Sequence, residues 1–531
     1  MGAIAIASPP TSPTFAGQMS SRSRFRPSLP ALVFVALHAA LFYYYQQRIS
    51  AAASSPAAYA DRGAASTPDA TLHLSAALPS LATSSCEVCH LDPSNPLCEY
   101  GLDSIRQSRA YEGSGARLRR VLEKALRGEE IGVGILGASV TQGHSVTPGK
   151  PVWQYRWFAD FQRLFPNSKI HVGAVGAMDS RFFAYCFEAL IPKDLDLYIV
   201  ETDLNDDPHL ESLRDNDGLM RALLQLPQDP AIMRVSVVAT LFDELVRGTM
   251  SNLMTSQHFD VPVISVRNFL LPHMIFHREA AEEVFGLDAW GNRDYRHMSE
   301  VGHAALGDML ALFIRKEVCE TQRRQVMPPP PSFPRTGPWP TGEDLGRIPP
   351  LALWSSWRNP KELVPISPMC QTAVSPLSPL NPHSHSSAFK MVEWNGKKAW
   401  GSNQPGSQIR FKWRGTRVGL FVWASNGRGT EEDVQDKRLR RQNAPGQALC
   451  WVEEQDVSEE DGEAKDGGLR SAPEAQSWVV NSHRPEKPAA GPEFIELAEG
   501  LQPGEHILAC EVQSETTSGG WRWRVQGIAS Q

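Results

Sequence analysis

Between residues 131 and 316 the chain alternates short apolar runs with helical patterns, and no other feature restricts its fold as much. The runs are 131-IGVGILG-137, 169-KIHVGAV-175, 195-LDLYIVET-202, 232-IMRVSVVAT-240 and 261-VPVISVR-267. Among them lie 153-WQYRWFADFQRLF-165, 209-HLESLRDNDGLMRALLQL-226 and 299-SEVGHAALGDMLALFIRK-316, whose apolar residues recur at helical spacing. Strands that are apolar along their whole length predict a parallel sheet covered on both faces. The expected class is therefore α/β, a doubly wound parallel sheet, in which sites form beyond the carboxyl ends of the strands.

The flanking sequence has other characters. Residues 1–28 are rich in serine and proline and read as a disordered cytoplasmic tail. Leu29 to Tyr45 is seventeen residues without Asp, Glu, Lys or Arg. It predicts a transmembrane anchor over 29–45, with Tyr43 to Tyr45 at an interface. Arg22, Arg24 and Arg26 precede the run and only Arg48 follows closely. That bias predicts a single-pass type II membrane protein of the secretory pathway, its body lumenal or extracellular. An Ala/Ser-rich stalk is expected over 46–85, the α/β domain over 86–320 and a Pro-rich linker over 321–350. Residues 351–531 hold runs such as 408-QIRFKW-413, 417-RVGLFVWAS-425, 448-ALCWVEE-454 and 504-GEHILACEV-512, which predict a C-terminal β-sandwich. Its charged inserts at 426–447 and 455–490 read as solvated loops. Its tryptophans, Trp394 and Trp423 among them, suit either a packed core or stacking on sugar rings. The sandwich is thus a candidate glycan-binding module.

A net charge of −7 leaves no basic footprint for nucleic acid. Eight cysteines in a lumenal body predict disulfides, their connectivity left open. The cluster 86-CEVCH-90 lacks a second C-x-x-C at finger spacing, which argues against zinc. Cys450 and Cys510 fall in two strand candidates and are placed to bridge the sandwich.

Gly132, Gly134 and Gly137 spell G-x-G-x-x-G, a pattern that can cradle phosphate. Here the glycines lie inside the apolar run, and no strand ending in an acid follows at the right distance. The Walker alternative fails because His144 stands where a lysine is needed. No cofactor is expected.

A serine is the stronger feature. Ser139 falls just past the first strand, where a hydroxyl can attack if a base and an orienting partner are at hand. Asp294 and His297 in 294-DYRH-297 are three apart, so one turn can present both to a single site, with His297 as base and Asp294 holding its tautomer. The stretch 171-HVGAVGAMDS-180 puts a Gly-rich turn after the second strand, whose N–H groups can face a developing oxyanion. Asn205 follows the third strand in 201-ETDLND-206. His273 with His277, or Asp294 with His297 and His303, form incomplete metal sets.

This order resembles the SGNH, or GDSL-type, hydrolases. The matching blocks are 137-GAS-139, the glycine near Gly176, 205-ND-206 and 294-DYRH-297. The resemblance implies Ser139, His297 and Asp294 as the catalytic triad, and the Ser139 N–H, the Gly176 N–H and the Asn205 amide as the oxyanion hole. The family's G-D-S reads G-A-S here, and Gly173 or Ala177 are alternative block II donors. The stretch 86–122, the ETDLND strand and the Trp- and Cys-bearing C-terminal segment look like fungal capsule-associated, membrane-anchored SGNH proteins. The resemblance implies an esterase or acyltransferase acting on ester-linked acyl groups, acetyl above all, of a carbohydrate or polysaccharide. A catalytically silent glycan-binding or assembly protein is the alternative.

Overall fold

Strands Arg109–Tyr111 (β1), Ile131–Gly137 (β2), Ser168–Ala174 (β3), Leu197–Glu201 (β4), Ala231–Ser236 (β5) and Val263–Ser265 (β6) form one sheet in the order β1-β6-β5-β4-β2-β3. Strands β2 to β6 pair in parallel, and only the short edge strand β1 runs antiparallel. The structure is a computed structural model that describes residues 85–531 except 243–244, 246–249, 289, 328–336, 339–345, 361–367, 395, 428–436, 454–475 and 487–489. Every residue of β4 and β5 is buried, as the unbroken apolar runs require of strands covered on both faces. Because β2 has β3 on one side and β4 on the other, the chain winds away in both directions from this point, and a crevice opens there at the carboxyl edge.

Helix Ala116–Leu126 (α1) and the long helix Glu300–Val326 share one face of the sheet with Trp153–Leu164. Ser180–Leu190 and Leu210–Leu224 share the other. The long helix runs ten residues past the helical pattern seen in the sequence and overshoots the expected domain end at 320. The linker that follows is pinned where it is described. The Arg117 guanidinium, on α1, donates to the Gly346 and Arg347 carbonyls at 2.6 and 3.1 Å, and Arg221 donates to those of Pro349 and Leu351 at 2.5 and 2.8 Å.

Phe285–Leu287 (β7) and Arg293–Met298 (β8) make a separate antiparallel pair. Beyond the linker come Met369–Thr372 (β9), Ser384–His385 (β10), Lys390–Trp394 (β11), Lys397–Ser402 (β12), Gln408–Gly415 (β13) and Val418–Ala424 (β14). Gln447–Glu453 (β15), Ser477–Asn481 (β16), Gly491–Ala498 (β17), Gly504–Val512 (β18) and Trp523–Ser530 (β19) complete the set. They form two antiparallel sheets, β10-β13-β18-β15-β16 and β11-β12-β19-β14-β17, with β9 beside β19. Alternate residues of both sheets, such as Ile409, Phe411, Leu420, Val422 and Trp523, meet in a common core. The expected solvated inserts are partly structured: Lys437–Asn443 is helical and β16 is a strand.

All eight cysteines are paired, as Cys86–Cys319, Cys89–Cys98, Cys186–Cys370 and Cys450–Cys510. Cys89 and Cys98 are therefore not zinc ligands. Cys450 and Cys510 are direct cross-strand neighbours on β15 and β18, so their bond lies within one sheet rather than across the sandwich. Cys186–Cys370 links the α/β part to the sandwich.

The expected membrane anchor is corrected. No helix among the described residues is long and apolar enough to cross a membrane, and 29–45 itself lies outside them, as do the tail and stalk. Neither an N-terminal transmembrane helix nor a single-pass membrane protein is supported. The four disulfides fit a secreted protein.

Candidate active site

Ser139 opens a four-residue helical turn, Ser139–Gln142, directly after β2. The turn is tight: a Cβ on Gly137 would lie 2.1 Å from the Thr141 hydroxyl oxygen. Thr141 is in turn fixed on three sides. Its hydroxyl donates to Glu201 Oε2 at 2.8 Å and accepts from the Trp153 indole at 3.3 Å, while its carbonyl accepts from Gln154 at 2.7 Å. Glu201 ends β4 and is fully buried. The same oxygen accepts the Ala138 and Thr141 N–H groups, each at 3.2 Å. Burial outweighs these bonds and pushes the Glu201 carboxyl up to about 8, so it is neutral at pH 7.

His297 and Asp294 both lie on the strand β8, where a single turn was expected to present them. Residues three apart on a regular strand face opposite sides. Here the pairing passes from Phe285↔Met298 to Leu287↔Arg293, so β8 carries extra residues against β7, and the irregularity brings the two side chains together. His297 Nδ1 is 2.5 Å from Asp294 Oδ2, and His297 Nε2 is 2.8 Å from Ser139 Oγ. With the proton on Nδ1, the ring donates to the carboxylate and Nε2 accepts the serine O–H. Burial opposes ionisation of Asp294. The hydrogen bond and charge of His297, the Arg296 N–H and the Ser145 hydroxyl overcome it and hold the carboxyl at about 2. The Ser145 hydroxyl donates to Asp294 Oδ2 at 3.1 Å from a backbone at φ 65°.

The other predicted residues converge on the same point. Gly176 follows β3, and a Cβ there would lie 3.6 Å from Ser139 Cβ and 2.5 Å from the Gln142 side-chain oxygen. A side chain there would have to displace the Gln142 amide. Ala177 beside it takes φ 70°, an uncommon conformation for a residue with a Cβ. Gly173 points instead into the Leu136, Leu190 and Ile191 packing. Asn205 follows β4 and lines the cleft with Ser139, His144, Ala177 and His297. Its turn is set by buried polar contacts. The Asn205 and Asp206 N–H groups donate to the Thr202 carbonyl at 2.9 and 3.2 Å. The Asp206 carboxylate accepts from the Ser180 N–H and hydroxyl at 2.8 Å each, from Thr202 at 3.0 Å and from Asn216 at 3.1 Å. Asp206 thereby ties the Asn205 turn to the start of the helix that follows the Gly176 turn.

His303 does not join this group. It is fully buried, and its Nδ1 accepts the Trp153 N–H at 3.3 Å. His144 does: its ring centroid is 5.1 Å from that of His297, and burial pushes it down to about 4. Sequence reading missed His144, Ser145 and Glu201. Only Glu201 carries a signal in the sequence, as an acid closing an otherwise apolar strand.

The cleft is about 1380 Å³ and has walls from both parts of the chain. Trp394, Lys397, Trp423, Arg522 and Arg524 of the sandwich face the same space as Ser139. The half-buried Trp394 meets the buried Trp423 edge to face, with centroids 5.2 Å apart, and Trp451 and Trp523 are core residues.

Fold and site together describe a two-part α/β and β-sandwich protein with a serine, a histidine and a carboxylate in hydrogen-bonded series at the sheet's carboxyl edge. Two solved structures share the fold. A two-domain esterase active on acetylated mannans, co-crystallised with mannopentaose, aligns at TM-score 0.51 and 16% identity over 80% of this chain and 97% of that one. A second crystal structure of a two-domain esterase active on acetylated mannans aligns at TM-score 0.52 and 15% identity, over 80% and 98%. No protein-family model matches the sequence, and no curated protein matches it.

Proposed function

We propose that the protein is a serine esterase, or an acyltransferase, that works on ester-linked acetyl groups of a carbohydrate. The observation that carries this reading is the series Ser139 Oγ, His297 Nε2, His297 Nδ1, Asp294 Oδ2, with links of 2.8 and 2.5 Å. It is supported by the shared fold, since the similar two-domain esterase acts on acetylated mannans. The resemblance of the sequence to fungal capsule-associated SGNH proteins points the same way, to a polysaccharide substrate.

In this mechanism Ser139 Oγ attacks the acyl carbonyl carbon while His297 Nε2 takes the hydroxyl proton. Asp294, ionised throughout the working range, stabilises the imidazolium without being protonated itself. Negative charge develops on the carbonyl oxygen. The Ser139 and Gly176 N–H groups have no acceptor among the described residues, nor has the Asn205 carboxamide a partner, and these three donors are assigned to it. Collapse of the tetrahedral intermediate breaks the bond to the sugar oxygen, which leaves with the proton from His297. Water, or a sugar hydroxyl, then gives its proton to His297 and attacks the acyl-serine carbonyl; collapse breaks the bond to Ser139 Oγ, which takes that proton back from His297, and releases acetate or the newly acetylated sugar.

The test is Ser139→Ala. It should lower turnover of an aryl acetate by at least about 10³-fold while the melting temperature stays within a few degrees. Unchanged turnover in the folded variant would remove the assignment.

A further inference from the structure

The sandwich wall of the cleft sets three cations, Lys397, Arg522 and Arg524, against two carboxylates, Glu486 and Glu493. Lys397 starts β12, Arg522 immediately precedes β19, Arg524 lies on it, and Arg296 faces them from β8. The Arg524 guanidinium sits 4.1 Å from the Trp394 ring centroid and 5.6 Å from that of Trp423, and Lys397 Nζ is 5.6 Å from Trp423. All four cations are half-buried. Among the described residues none of their side chains forms an ion pair or a hydrogen bond. Arg296 Nε is buried without an acceptor.

The contrast lies in the same cleft. Arg181 there is paired with Asp215 at 2.9 Å, and the cleft's Glu493 is taken by Arg484 at 2.8 Å. Burial pushes Arg524 down to about 9, with Arg522 adding repulsion. Lys397 is also pushed down, by burial and then by Arg296, and its charge reaches His144 beside the reactive serine. Partly withdrawing four positive charges from water with no ion-pair partner among the described residues bears a desolvation cost. The aromatic faces of Trp394 and Trp423 offset only part of it, since a cation–π contact contributes about 0.5–2 kcal/mol. An anion entering the cleft would supply the missing partners, and arginine forks hold carboxylate and sulfate oxygens in pairs.

We propose that this wall binds the negative charges of an acidic sugar chain, so that the acyl group processed at Ser139 is carried by an anionic polysaccharide, charged through uronate carboxylates or sulfate esters. The proposal rests on reading the cleft as an ester-processing site. The wall begins at the rim of that site, so charges on sugars flanking the esterified one would meet it while the ester meets Ser139. The half-buried Trp394 would lie beneath the same stretch of chain, where an aromatic face favours a sugar ring, while Trp423 is buried behind it.

The experiment is calorimetric titration of the full chain with a galacturonic acid hexamer, a sulfated mannohexaose and plain mannohexaose. At least one anionic probe should bind about tenfold or more tightly than mannohexaose, and the tighter of the two identifies the charge carrier. The preference should shrink as salt rises, because surface charge pairing is screened. R524Q and K397Q should each cut it about tenfold, the loss of one charge-assisted contact. K397Q guards against misfolding of R524Q, whose guanidinium also packs on Trp394. Equal affinity for all three probes, or a preference untouched by salt and by both substitutions, would overturn the proposal. Binding needs no turnover, so the two readings fail separately. Anion preference without ester hydrolysis removes the esterase reading, and hydrolysis without anion preference removes this one.

Discussion

At the scale of single residues, the candidate site is a matter of who touches Ser139. The Asn205 carboxamide lines the cleft without a partner among the described residues, and its backbone is fixed by the Thr202 and Asp206 contacts. If it donates to the oxyanion, Asn205→Ala should lower kcat by about 10²–10³. KM should change little, because the charge forms only on the way to products. A pure KM effect in steady-state kinetics would make Asn205 a substrate-binding residue instead. Ser139, Asn205, Asp294 and His297 were legible in the sequence because each lies at the end of a recognisable run or in a compact cluster. Ser145 and Glu201 were not. Ser145 meets Asp294 across 149 positions, and Glu201 meets Thr141 across 60. No local pattern marks such a meeting; only the folded sheet edge creates it.

Among elements, the strand β4 does two jobs through adjacent residues, since Glu201 anchors the Ser139 turn and the turn after it carries Asn205. The neutral Glu201 gives this arrangement a pH signature. Its ordinary value is 4.5 and its folded value about 8, so between them the folded chain holds a proton that the unfolded chain has lost. That contribution to stability is full below about pH 4.5 and fades as pH rises through 8. Thermal melts of wild type should therefore show stability declining across this window, and Glu201→Gln, which cannot ionise, should decline less steeply. Asp179 and Asp203, also pushed up by burial, keep some slope in the variant. Parallel slopes would mean that Glu201 is ionised in the folded protein. The five parallel strands were legible because runs apolar on both faces leave few alternatives. The β7–β8 pair was not, because its bulged register depends on packing and its residues lack alternation.

For the molecule as a whole, the α/β part and the sandwich share one apolar cluster. Phe182 packs edge to face on Phe421 at 5.1 Å, and Cys370, Phe421 and Ala529 belong to the same buried cluster as Leu136, Phe183 and Val200. The Cys186–Cys370 bond runs through it. The sequence did not reveal this junction, because a Pro-rich linker suggests separable units and contacts between them leave no periodic trace. A chain ended near residue 350 would expose Phe182 and leave Cys186 unpaired. Burying one such aromatic is worth about 1.5–3 kcal/mol and a disulfide about 2–4 kcal/mol. The truncation should therefore be insoluble or melt far below the full chain in calorimetry. A soluble truncation with the parent's melting temperature would show that the two parts fold independently. The sandwich wall then would be an accessory to the cleft rather than half of it.

Everything proposed about the chemistry depends on Ser139 being a nucleophile, and a fluorophosphonate probe reports that directly. Intact-mass and peptide-mapping spectrometry after labelling should find one phosphonyl group per chain, on Ser139, and none in Ser139→Ala. A folded protein that takes up no label, or that takes it elsewhere while Ser139 stays unmodified, would contradict the account.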